Sequence, residues 1–226
     1  LYDGTFWPGR RGLGIHAISA IDIALYDLAG KQHNVPAYKL MGGARRDRLR
    51  PYCTIFPGLA HGRSIEQLMT EIGRQFDAAL DNGFRAVKME VLFYDLGTDR
   101  ELVDLIRRGR KMLGDDVQMA VDFGYRWSNW HDALLVLDRI RDCDILFAEA
   151  TLQHDDLDGH AELAARSGIR IGGAEAAATR WEIREWLTRG KVGVVQPNIG
   201  RGGGLTELRR IADLCEYHGA EVVPHG

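Results

Sequence analysis

From about residue 50 onward, short apolar runs rich in β-branched residues alternate with segments whose apolar residues recur at helical spacing. The strand-like runs are 50–56, 86–92, 117–123, 145–150, 169–175, 192–198 and 220–225. Between the first two, Ile65, Leu68, Met69, Ile72, Phe76, Ala79 and Leu80 fall on one helical face, and Ser64 with Gln67 predicts a capping box at its start. Leu102, Leu105, Ile106 and Leu113 mark a second helix, and Leu205, Leu208, Ile211, Ala212 and Cys215 mark the last. Ahead of the alternation, Ile15, Ile18, Ile21, Ile23, Ala24 and Leu28 predict a helix with a wide apolar face, stopped near Gly30.

Strands separated by single helices pair in parallel through right-handed crossovers. A doubly wound nucleotide binder would carry G-x-G-x-x-G after its first strand. None is there, and Gly202-Gly203-Gly204 comes far too late. The predicted fold class is therefore α/β, a TIM-like (β/α) barrel. A complete barrel has eight strands in about 250 residues, so these 226 residues are expected to stop after the seventh strand. Open edge strands invite association, and a homo-oligomer is expected.

Composition narrows the class without naming a function. The 45% hydrophobic content is that of a soluble globular protein, and a formal charge of −3 gives no field to attract nucleic acid or an acidic membrane. The basic cluster Arg45-Arg46-Asp47-Arg48 with Arg50 reads as a solvated face. Cys53, Cys143 and Cys215 are odd in number and form no C-x-x-C pair, against a disulfide framework or structural zinc. No apolar run is read as membrane-spanning and no signal-peptide pattern opens the chain, so a cytoplasmic setting is expected.

The chemistry lies in acidic residues near successive strand ends. Asp122 ends the third run, Glu149 sits near the end of the fourth and Glu175 ends the fifth, each about one βα unit from the next. At equivalent heights on neighbouring strands of a barrel they would converge above its C-terminal face, where active sites lie. Three converging carboxylates repel one another unless a hard cation neutralises them, and Mg2+ prefers such oxygen ligands. The same phase continues to Asn198 and His225 at the ends of the sixth and seventh runs. Lys88 and Glu90 share one face of the second strand while Met89 points the other way. Tyr125 and Arg126, just past Asp122, are candidate substrate contacts, and Arg201 could hold an anionic group at the next helix N-terminus. His154-Asp155-Asp156 reads as a solvated loop rather than a metal site.

The strings SAIDIALYDLAGK (19–31), YKLMGG (38–43), AVKMEV (86–91), AVDFGYRW (120–127), FAEA (147–150), GGAE (172–175), VVQPNIGRGGGLTE (194–207) and VVPH (222–225) resemble the mandelate racemase-like branch of the enolase superfamily. That resemblance implies a modified barrel over 44–226, preceded in 1–43 by the helical tail of an N-terminal cap. It implies that Asp122, Glu149 and Glu175 ligate magnesium. It also implies that Lys88 is the first lysine of a K-x-K pair and His225 the histidine of a His-Asp dyad. Three positions depart from the pattern: Glu90 stands where the second lysine would be, Asn198 where the dyad aspartate would be, and the common Glu-x-Pro after the fourth strand reads Glu149-Ala150-Thr151.

Such enzymes remove the proton α to the carboxylate of a small-molecule substrate, with the cation stabilising the enediolate and Lys or His serving as base. The expected reaction is dehydration of a sugar acid to a 2-keto-3-deoxy acid. Lys88 would be base or carboxylate-binding cation, and His225 the acid/base on the opposite wall. The alternatives are a racemase or epimerase of a 2-hydroxy acid, and a catalytically impaired barrel or fragment that retains the metal. Asn198 can fix an imidazole tautomer but contributes no charge, and Glu90 favours the charged form of Lys88.

Overall fold

The computed structural model describes residues 1–92 and 98–226. After a 3-10 turn at Asp3–Thr5 come α1 (Phe6–Gly9), α2 (Leu13–His33), α3 (Ala37–Leu40), β1 (Cys53–Ile55), α4 (Ile65–Asp81), β2 (Ala86–Glu90), α5 (Asp99–Leu113), β3 (Gln118–Asp122) and α6 (Trp130–Arg139). A second 3-10 turn at Arg141–Cys143 leads to β4 (Ile145–Glu149), α7 (Leu157–Arg166), β5 (Ile171–Gly173), α8 (Thr179–Thr188), β6 (Val194–Val195), α9 (Gly204–His218) and β7 (Glu221–Val222). The strands hydrogen-bond in chain order from β1 to β7. Their ladders are parallel, as the strand–helix alternation requires. The α/β class and the strand order of a (β/α) barrel are those predicted.

The strands are shorter than the apolar runs that announced them. Ala174 adopts φ 76° directly after β5, turning the chain out of its ladder. Glu175 therefore lies in a turn and not on the strand. Gly173 is needed in the last residue of β5, because a Cβ there would stand 2.9 Å from the Trp186 ring.

The chain forms two compact units, one of residues 50–172 and one of residues 1–49 with 173–226. In the 50–172 unit, the sheet face carrying Val87, Met89, Met119 and Val121 is fully buried. Leu68, Ile72 and Phe76 of α4 and Leu102, Leu105 and Ile106 of α5 are buried in the same unit. The expected capping box starts α4: Gln67 N–H donates to Ser64 Oγ, and Ser64 N–H donates to Gln67 Oε1 at 2.8 Å. Thr98 and Glu101 repeat the device at α5.

In the other unit α2 packs on α9 through polar bonds. Gly203 N–H donates to Ser19 Oγ at 3.0 Å; Thr206 donates to the Asp22 carboxylate from N at 3.0 Å and from Oγ1 at 2.6 Å. A glycine at 203 offers no capping side chain, so α2 supplies the acceptors that α9 lacks. Asp27 pairs with Lys31 one turn on. By length and composition alone α2 is long and apolar enough to cross a membrane: it has 21 residues, and an 18-residue stretch of it has a mean hydropathy of 1.3. The charges at Asp22, Asp27 and Lys31, which break the apolar run in the sequence, hide that helix from a search for unbroken apolar stretches. Leu13, Leu25 and Leu28 on α2 are exposed.

Candidate active site

Parallel register aligns the acidic residues of the 50–172 unit. Glu90 pairs with Asp122 across β2 and β3, Asp122 with Glu149 across β3 and β4, and Glu149 with Gly172 across β4 and β5. Three carboxylates thus occupy one row on one face of the sheet. The third member of the row is Glu90; Glu175, three residues past Gly172, is not in it.

Lys88, two residues before Glu90 on the same face, answers this charge. Its Nζ donates to Glu149 Oε1 at 3.0 Å, stands 2.8 Å from Glu149 Oε2, and lies 3.7 Å from Asp122 Oδ2. Lys88 is 5% exposed and Glu149 1%, so the pair is essentially dry. Burial pulls the ammonium down, but the charge and hydrogen bond of Glu149, with Tyr52 and Asp122, outweigh it and hold Lys88 at about 12. Burial, reinforced by the Glu149 charge, pushes the Asp122 carboxyl up to about 7 against the pull of Lys88 and of the Gly124 N–H. One cation serves two adjacent acids, and Asp122 carries the deficit. The Tyr52 ring, 5.7 Å from Lys88 Nζ, belongs to the same cluster and had no signal in the sequence.

In the unit of residues 1–49 and 173–226, Glu175, Asn198 and His225 come together. His225 Nε2 lies 2.8 Å from Glu175 Oε2, and Asn198 Nδ2 lies 3.0 Å from His225 Nδ1. An isolated parallel bridge joins Asn198 to His225 just beyond β6 and β7, and His225 N–H donates to Pro197 O at 3.2 Å. Gln196 is fully buried with no hydrogen-bond partner on either amide atom, and strand alternation puts it on the face of Asn198. That spacing was legible; its burial was not.

The remaining candidates are held by structure. Arg126 Nε bonds Asp99 Oδ1 at 2.9 Å, and Trp127 Nε1 donates to Asp99 Oδ2 at 3.0 Å, a clamp that sets the loop after β3. Tyr125 takes φ 63°, which strains a bulky residue, and Ala150 takes φ 49° directly after Glu149. Arg201 is exposed, but the α9 N–H groups expected to help it hold an anion are taken by Ser19 and Asp22. Asp156 caps α7 through Gly159 N–H at 2.9 Å, in keeping with a structural loop at 154–156.

Family models match most of the chain. The enolase C-terminal domain-like model covers residues 71–226, and the mandelate racemase / muconate lactonizing enzyme N-terminal domain model covers residues 7–42. The chain belongs to the mandelate racemase/muconate lactonizing enzyme family of the enolase superfamily. Among its relatives, arabinonate dehydratase of Saccharolobus solfataricus is 32% identical over 225 residues, all of this chain and 58% of that protein. The crystal structure of a racemase from Streptomyces coelicolor A3(2) with bound magnesium matches with a TM-score of 0.86 at 31% identity, covering 100% of this chain and 64% of that one. L-talarate dehydratase from Polaromonas sp. JS666, complexed with Mg and L-glucarate, matches with a TM-score of 0.86 at 28% identity, covering 100% of this chain and 60% of that one. Relatives at about 30% identity thus include sugar-acid dehydratases, cycloisomerases and racemases, and the chain spans somewhat over half the length of the curated ones.

For an enolase-superfamily metal, the donor set of this family member fits. Glu149 Oε2 is buried and has no hydrogen bond, although the ammonium approaches it. Asp122 beside it is a carboxyl oxygen donor raised by burial and by its neighbour's charge. Hard oxygen donors with surplus negative charge are what magnesium takes. Among the described residues no three His, Cys, Asp or Glu side chains gather as a metal cluster. In each unit a cationic or ring nitrogen partners a carboxylate instead: Lys88 with Glu149, and His225 with Glu175.

Proposed function

We propose that this family member serves magnesium-dependent removal of the proton α to a carboxylate, and that its reaction is dehydration of a sugar acid to a 2-keto-3-deoxy acid. The observation that carries the reading is the register-matched pair Asp122 and Glu149 with the buried Lys88 against it. Asp122, Glu149 and Glu175 are the proposed metal ligands; bound there, a dication would supply positive charge against the enediolate. Lys88 is the cation that binds the substrate carboxylate while Glu149 holds it charged, and its amine becomes a base only where that carboxylate's charge is neutralised otherwise. His225 is the second group proposed to act on the substrate. Glu90, in the row with Asp122, keeps the cluster anionic and so favours cation uptake.

Dehydratases and magnesium-bound structures among the relatives support this choice. The test is an acid-sugar panel with added Mg2+, monitored for 2-keto acid. Keto-acid release with at least one member is expected and should vanish with chelator. Epimer formation without keto acid would replace dehydration by racemisation, a reaction also found among the relatives.

A further inference from the structure

We propose that Asn198 reverses the hydrogen-bond polarity of His225, so that the neutral ring carries its proton on Nε2 and offers the active site a donor in place of a base. Gly200 sets the orientation of the Asn198 amide. Its backbone N–H can only donate, and it donates to Asn198 Oδ1 at 2.9 Å. The amide oxygen is thereby fixed on the Gly200 side, and the amide nitrogen is the end that faces the imidazole. Turning the amide over would set its NH2 against the Gly200 N–H, losing one bond and opposing two donors. The Asn198 nitrogen has no lone pair to offer, so at 3.0 Å from His225 Nδ1 it must donate, and Nδ1 must accept. A neutral imidazole has one proton, which leaves it on Nε2.

The opposite end of the ring agrees. Nε2 stands 2.8 Å from Glu175 Oε2, an acceptor that an Nε2–H satisfies and a lone pair would oppose. The Asn198 end does not depend on that contact, so the polarity holds whatever occupies Glu175. The backbone keeps the pair in place, through the parallel bridge between the two residues and the bond from His225 N–H to Pro197 O. An aspartate at 198 would accept from Nδ1–H and leave the Nε2 lone pair free as a base. Asparagine is thus a positioning residue with the reverse effect. Resting on the α-proton reading proposed above, the consequence is that His225 polarises a substrate oxygen and does not take a carbon-bound proton. A two-base exchange at one carbon then lacks its second base, which sets the site apart from racemisation.

The test is a long-range 1H–15N correlation spectrum of the 15N-labelled chain above neutral pH, with His225 assigned by the signals lost in His225→Gln. The expected result is a pyridine-like Nδ1 and a pyrrole-like Nε2, with the two signal types exchanged in Asn198→Asp. A pyrrole-like Nδ1 in the unsubstituted chain would overturn the proposal, and that spectrum alone decides if Asn198→Asp fails to fold. No substrate is present in the measurement. A chain inactive on every acid sugar can therefore still show the Nε2–H tautomer, and an active dehydratase can still show the opposite one.

Discussion

Replacing Lys88 by methionine removes the one ammonium that contacts both Asp122 and Glu149 while nearly preserving side-chain length. Glu149 is 1% exposed and would lose its cation, and breaking a buried pair in this way costs about 3–5 kcal/mol. For a chain of this size each kcal/mol lowers the melting temperature by roughly 2–4 °C, so a drop of roughly 6–20 °C is expected without divalent cation. Urea titration of the Lys88→Met chain, followed by circular dichroism, reads the same loss as a lower midpoint at unchanged slope. The double variant Lys88→Met with Glu149→Gln should lose less than the sum of the single changes, because the second removes the charge that the first strands. Magnesium should stabilise Lys88→Met more than the parent chain, since no ammonium then competes for the carboxylates; at a hundredfold excess over Kd that is worth about 2.7 kcal/mol. A loss below about 1 kcal/mol for Lys88→Met would refute the reasoning, because a dry carboxylate cannot lose its cation so cheaply.

Other consequences follow from the same contacts. Asp122 ordinarily titrates near 3.8 and is held near 7 in the fold, so the folded chain keeps a proton that the unfolded chain has released. Stability should fall as pH rises from about 4 to about 7, by an amount of order a few kcal/mol, and Asp122→Asn should flatten that slope in urea titrations across the range. The Lys88 contribution falls in the same direction at higher pH: it is intact below 10.5 and lost as pH rises through about 12. Asp22→Ala removes the acceptor for Thr206 at the start of α9 and should cost about 1–2 kcal/mol, whereas Asp27→Ala, on an exposed pair, should cost well under 1. Gly204→Ala would place a Cβ 2.4 Å from Asp22 Oδ2 at φ 83°, and a lower melting temperature than that of Asp22→Ala is expected. Asp99→Asn should shift the emission of Trp127, whose Nε1 donates to that carboxylate, and leave the chain less stable by about 1–2 kcal/mol.

What could be read without coordinates divides along a physical line. Alternation of apolar runs is a property of each strand by itself, so seven strands, their parallel order and the Ser64–Gln67 cap were all legible. Register is a property of two strands, and spacing along the chain estimates it only when every βα unit closes at the same height. Between β3 and β4 it does so, and Asp122 meets Glu149 even though the ladder shifts after Met119. Past β5 it does not. Ala174 in the left-handed region turns the chain away after Gly173, and Glu175 stands three residues beyond the row that ends at Gly172. The acid that does share the row is Glu90, which the family pattern marks only as a departure from lysine. A carboxylate there raises the anionic charge around Lys88, and Asn198 withholds from His225 the anion that an aspartate would provide. The two departures therefore act in one direction: each moves a nitrogen on one wall away from the role of base and toward that of donor. A site so altered keeps one donor, His225, and one base, Lys88, once the charge of Glu149 is neutralised. The proposed dehydration needs one base for the α-proton and one donor for the departing oxygen, whereas racemisation needs a base on each side, so the proposed dehydration accounts for both substitutions together better.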